Sequence, residues 1–162
     1  MSVIENPSSE RLEELTALIA LQQIEQLGPV GIAALLAHSG TASNLFRRPV
    51  NLNSVVGLRA KAREQLSVFL RHPRQNRFWK EAEQSLAWLA DQGYCVVLKT
   101  DASFPKGFLE LNDCPPLIYC AGDRKLLNTS SLSIVGTRKP TAGYVPLTEQ
   151  LASQLASAGL TI

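Results

Sequence analysis

Residues 133–141 hold the densest set of groups able to do chemistry: Gly136, Thr137, Arg138, Lys139 and Thr141, preceded by the apolar run Ser133-Ile134-Val135. An apolar strand, a glycine turn with cationic and hydroxyl side chains, and then a helix start make an anion-binding corner. Gly136 permits close backbone approach, and Arg138 and Lys139 supply charge. Arg138 presents a forked donor, and Thr137 and Thr141 add hydroxyls. The helix beyond contributes the positive end of its dipole. The corner is neither a dinucleotide fingerprint nor a Walker A loop. Gly136 stands alone until Gly143, and no Gly-Lys-Ser/Thr follows it.

Elsewhere the side chains offer no catalytic or metal-binding arrangement. Asp101, Asp113 and Asp123 fall in loop-like sequence without a partner histidine, and Ser130 and Ser131 lack a nucleophile elbow. Cys95, Cys114 and Cys120 show no C-x-x-C spacing, and His38 and His72 lie far from them. The cysteines read as buried thiols of a cytoplasmic protein, and Tyr94 and Tyr119 as amphipathic core residues. No metal, no cofactor and no enzyme activity is expected. The first ten residues contain Glu5 and Glu10 and lack an apolar run, which argues against a signal peptide. No stretch approaches the ~18 apolar residues of a membrane span.

The net charge of +2 is too small to name a partner, but its distribution is uneven. Arg59, Lys61, Arg63, Arg71, Arg74, Arg77 and Lys80 face only Glu64 over one stretch. This is read either as a solvated helix face with a charged linker or as a secondary phosphate-facing patch of Arg59, Lys61, Arg63, Arg74 and Arg77. Salt would weaken binding to such a patch.

The elements that must position these groups change period along the chain. Glu10 to Leu27 reads as a helix capped by Ser8 or Ser9, with Leu12, Leu15 and Ile19 on one face. The turn Leu27-Gly28-Pro29-Val30-Gly31 leads to a second helix over Ile32 to His38, an outline of a helix-hairpin-helix or of a small bundle with glycine turns. A weaker copy at 52–58 precedes the basic helix Arg59 to Leu70, and Arg71 to Gln75 is a linker. A further helix from Asn76 to Gln92 carries the stripe Trp79, Ala82, Leu86 and Leu89, and Gly93 ends it. Strands then follow at Cys95 to Leu98, Leu117 to Cys120 and Leu132 to Val135. The last helix is expected to start with Pro146 at its first position, to pack Leu147, Leu151 and Leu155 on one face, and to end at Gly159.

The expected fold class is therefore α/β. A helical domain of the helix-hairpin-helix or sterile-alpha-motif-like kind spans 1–72. An extension and the first part of a Rossmann-like parallel sheet span 73–162, with three strands present. Leu160-Thr161-Ile162 reads as the opening of a further strand, so the chain is expected to be the front part of a longer protein cut inside its main domain.

The order Asp101-Ala102-Ser103-Phe104-Pro105, Leu109 to Asp113, Pro115-Pro116-Leu117-Ile118-Tyr119, Gly122-Asp123, Ser133 to Arg138 and Ala158 to Ile162 resembles the DprA/Smf family of DNA-processing proteins. Phe104 stands where the family has tyrosine, and Cys114 precedes the proline pair. The resemblance implies a non-enzymatic cytoplasmic protein that binds single-stranded DNA, protects incoming strands in natural transformation and assists loading of the RecA recombinase. It places Gly136, Thr137 and Arg138 in the DNA pocket, and it implies a homodimer for the full-length protein, with no membrane association. Two other readings stay open at this point: a phosphoribohydrolase-like nucleotide enzyme, and a helical protein-interaction module.

Overall fold

The computed structural model describes residues 8–48 and 50–162. The reading of the first ten residues as lacking a signal peptide falls mostly on 1–7, which lie outside the described ones. Helix α1 (Ser9–Gln22) opens with the Ser8 hydroxyl accepting from Arg11 N at 3.3 Å, and Glu10 favours its positive end. From Leu15 to Leu21 every residue is buried, so this short helix is the centre of the fold rather than a one-faced surface helix. Leu12, expected on the buried face, is exposed. The helix also stops at Gln22 rather than at Leu27. Ile24 and Leu27 turn inward instead, and Gln26 takes a left-handed conformation at φ 63°.

Gly28 then caps helix α2 (Pro29–Ser39), with Pro29 at its first position, where a missing N–H costs nothing. Gly31 lies inside the first turn of α2. A Cβ there would meet Leu27 Cδ1 at 2.8 Å, so this glycine makes room for the turn that folds beneath it. A helix absent from the sequence reading, α3 (Ala42–Arg47), follows. Thr41 caps it by accepting from Asn44 N at 3.2 Å. Glu14 of α1 closes its remaining donors, accepting from Ala42 N and Ser43 N at 2.8 Å each. Turns over 52–57 lead into α4 (Ala60–Phe69), and the expected linker winds into a 3-10 turn at Pro73–Gln75.

Helix α5 (Arg77–Asp91) is capped by Asn76, and its stripe packs on α1 as the spacing predicts. Trp79, Ala82 and Leu89 are buried and Leu86 partly so. Gly93, at φ 71°, reverses the chain in a Schellman-type cap, Tyr94 N donating to Leu89 O at 2.8 Å. The heart of the core is aromatic. Phe46 meets Phe69 edge-on with ring centroids 5.0 Å apart, Phe46 meets Trp79 at 5.3 Å, and Phe69 meets Phe78 at 5.7 Å. Each such pair adds roughly 0.5–1.5 kcal/mol beyond the area it buries.

The sheet departs from expectation. Strands β1 (Cys95–Leu98) and β2 (Leu117–Cys120) pair antiparallel, in register Cys95↔Cys120 to Leu98↔Leu117. Their unbroken apolar sequence reflects cover on both faces rather than parallel neighbours. Leu98 and Leu117 join the α1–α5 core, while Val97 and Cys120 face a second cluster with Phe104 and Cys114. The expected third strand, Leu132 to Val135, does not form. One parallel bridge, Ser131↔Thr161, stands in its place, with Leu132 N donating to Thr161 O and Thr161 N to Ser130 O, both at 2.9 Å. A strand without a ladder of partners has no hydrogen bonds to hold it extended, so 132–140 is irregular.

Helix α6 (Tyr144–Ser157) links the two halves of that bridge and ends at Gly159, as the sequence suggests. It begins at Tyr144, which puts Pro146 in third place rather than first. Leu147 and Leu151 do not pack a face: both are exposed, and Leu155 is only half-buried.

Candidate nucleic-acid interface

The corner is carried between the bridge at Ser131 and the start of α6. Every residue from Ser131 to Gln150 is exposed, so Gly136, Thr137, Arg138, Lys139 and Thr141 all face solvent. Thr137 Oγ1 accepts from Lys139 N at 3.3 Å, which curls the turn around Arg138. Thr141 O accepts from Tyr144 N at 2.9 Å and ties the turn to the first residue of α6. Gly143 stands at the N-cap position without a side-chain cap, and no acidic residue lies in the first turn. Tyr144 N is thus engaged and Pro146 has no N–H, so of the first three residues of α6 Val145 keeps an N–H for solvent or a ligand, and the dipole favours an anion there. Arg138 and Lys139 make no ion pair among the described residues. A Cβ added at Gly136 would meet nothing within 4 Å, so the backbone of the turn is open to close approach. Tyr144, 66% exposed, is the aromatic residue nearest in sequence to the cations.

The secondary patch is dispersed by the fold. Lys61 pairs with Glu25, and Arg74 Nη2 donates to Glu13 Oε1 at 3.2 Å. Arg63 Nη2 donates to Leu58 O at 3.2 Å, and its Nε is buried without a partner. The Arg77 guanidinium lies over the Phe78 ring, 4.9 Å from the centroid. Arg59 is exposed at the N-cap position of α4. Lys61 and Arg77 do meet, around a cavity of about 380 Å³, but Glu64 lines it with them. Much of the basic run is thus occupied by contacts within the fold.

The loop carboxylate Asp101 has a definite role. Arg11 Nη1 and Nη2 donate to its two oxygens at 2.7 and 2.6 Å, and Leu98 N donates to Oδ2 at 2.9 Å. This fork joins the start of α1 to the end of β1. The Arg11 bonds hold the Asp101 carboxyl below its ordinary range and raise the guanidinium above its own. Burial pushes Cys95 upward, with Cys120 opposite adding to the shift, so both thiols belong to the packing. Tyr119 is exposed rather than core. Its hydroxyl donates to Gln22 Oε1 at 3.1 Å, and burial of part of the ring raises its pKa. Sequence reasoning missed Arg47 and Arg48. Their adjacency was the available signal, and they lie beyond the basic stretch that begins at Arg59.

Among the described residues no group of three or more His, Cys, Asp or Glu side chains could hold a metal ion, and no helix is long and apolar enough to cross a membrane. No curated protein and no solved structure matches the chain significantly. A family model described as DNA recombination-mediator protein A matches residues 95–162, which include β1, β2, the corner and α6. This is the same stretch in which the DprA/Smf motifs occur in order. Residues 95–162 are therefore similar to the DNA recombination-mediator protein A family, a family of DNA-processing proteins, and this similarity agrees with the DprA/Smf resemblance of the motifs.

Proposed function

We propose that the protein binds single-stranded DNA through the corner at Gly136, Thr137, Arg138, Lys139 and Thr141. In this reading it is not an enzyme. It protects incoming strands during DNA uptake and assists loading of the RecA recombinase, and the full-length protein acts as a homodimer. One observation carries the DNA contact: two cations without ion pairs among the described residues, on an exposed glycine turn, next to the start of α6, which has no side-chain cap. Phosphate contacts of this kind give affinity without sequence preference. Tyr144 supplies a ring on which a base can stack, worth about 1–3 kcal/mol per base. The N-terminal helices, read as a sterile-alpha-motif-like or helix-hairpin-helix domain, support the contact through Arg59. Lys61, Arg63, Arg74 and Arg77 have intramolecular partners to give up first.

Fluorescence anisotropy with a labelled oligodeoxythymidylate over a salt series tests this reading. Binding should weaken steadily with salt. Arg138→Ala should lower affinity about tenfold or more, as expected for loss of a charged hydrogen-bonding group. Tyr144→Ala should lower it by a similar factor without changing the salt slope. Binding that is strong and indifferent to both substitutions would remove the corner from the reading, and absence of binding at low salt would end it.

A further inference from the structure

We propose that the groove between the ends of α3 and α4 docks an acidic peptide segment with aliphatic anchor residues, supplied by a partner protein. The groove measures about 470 Å³ and lies far in sequence from the corner. Leu45, Val50, Leu52 and Leu70 give it an aliphatic floor, and Arg47, Arg48 and Arg71 stand around it. Among the described residues none that lines it is acidic, in contrast to the cavity that contains Glu64.

Arg47 is held by Glu13, so that pair is close to neutral. Arg48 and Arg71 are exposed and make no ion pair among the described residues. The carbonyl ends of α3 and α4 open beside them, each equivalent to roughly half a negative charge at most. Two full positive charges outweigh that, and the groove favours an anionic partner.

The floor decides between classes of anion. Nucleic-acid bases seek exposed aromatic rings. The aromatic residue here, Phe46, has its ring committed to Phe69 and Trp79 in edge-on contacts. What remains for a ligand is aliphatic surface, which suits leucine-like side chains flanked by carboxylates. This is the charge and shape pattern of an amphipathic peptide seated in a groove. The proposal is independent of the DNA reading, because no residue of the corner takes part.

The test uses a fluorescein-labelled peptide, Asp-Glu-Asp-Leu-Glu-Asp-Leu-Leu, titrated with the chain at low and moderate salt. Controls carry serine for each leucine or lysine for each acidic residue. The acidic, leucine-bearing peptide should bind, and both controls should lose about tenfold or more in affinity. Arg48→Glu combined with Arg71→Glu should abolish the difference, while Arg138→Ala should leave peptide binding unchanged. Hydrogen exchange on the unmodified chain is the second readout. Peptide should slow exchange in the last turn of α3 and at Leu70 and Arg71, which keeps the test valid if the double variant folds poorly. Three results would overturn the proposal: no peptide binding at low salt, protection that misses these residues, or a labelled oligodeoxythymidylate, rather than the peptide, being the ligand released by the double charge reversal.

Discussion

At the scale of single residues, the Arg11–Asp101 fork shows how a loop carboxylate without catalytic company is used. It satisfies three donors, two on Arg11 and one on the backbone of Leu98, across ninety positions of sequence. Because the folded carboxyl ionises more readily than an unfolded one, its stabilising effect is complete above the unfolded value, near pH 4. It is lost as pH falls through the lower folded value. Glu13 contributes in the same direction: burial alone would raise it, but Arg47 and Arg74 hold it below its ordinary value. Asp101→Asn should therefore cost about 1–2 kcal/mol at neutral pH. It should also flatten, without abolishing, the acid limb of a stability profile measured by urea unfolding between pH 7 and pH 2. An unchanged acid limb would mean that the fork is replaced by water at little cost.

Among the elements, α3 is the one whose existence depends most on its neighbours. Six residues are too few for an isolated helix to persist, because the nucleating turn is scarcely repaid. Two things hold it: burial of Ala42 and Leu45, and the carboxylate of Glu14 placed across its first N–H groups. Glu14→Ala should destabilise the fold by about 1–2 kcal/mol, the upper range for a lost cap. Glu14→Gln should cost less, since one acceptor oxygen remains. Equal costs for the two substitutions, measured as shifts in urea midpoint, would show that charge matters here and acceptor geometry does not. The antiparallel β1–β2 pair depends on context in another way. Its two faces serve two separate clusters, so Val97 and Leu98 are both buried although they point in opposite directions.

For the molecule as a whole, packing is concentrated around α1 and fades toward α6. The main core gathers residues from Leu15 to Leu117, whereas α6 contains no buried residue. Local opening free energy follows buried apolar contact, so amides of α6 should exchange with solvent far sooner than those of Leu18 to Leu21 in α1. Hydrogen exchange read by mass spectrometry checks this, and equal protection in α6 and α1 would contradict it. The same gradient bears on function. The corner that carries the proposed DNA contact sits on the least packed stretch, where turn and helix start can adjust to a strand.

What could be read from the amino acids alone was whatever local chemistry decides. The caps at Ser8, Gly93 and Gly159, the stripe on α5, the places of β1 and β2, and the glycine–arginine turn depend on neighbours within a few residues. So does the ordered string of motifs between Asp101 and Ile162 that the family match covers. Tertiary structure decided the rest, because these outcomes depend on partners far along the chain. The direction of β1 against β2, the formation of α3 beneath Glu14, and the exposure of Leu147 and Leu151 each turn on which surface lies opposite. Charge behaved likewise. Composition could count the basic residues from Arg59 to Lys80, but only the fold paired Lys61 with Glu25 and Arg74 with Glu13 and left Arg48 and Arg71 beside an aliphatic groove. A side chain's type is local, whereas the partner that neutralises it is a matter of distance in space.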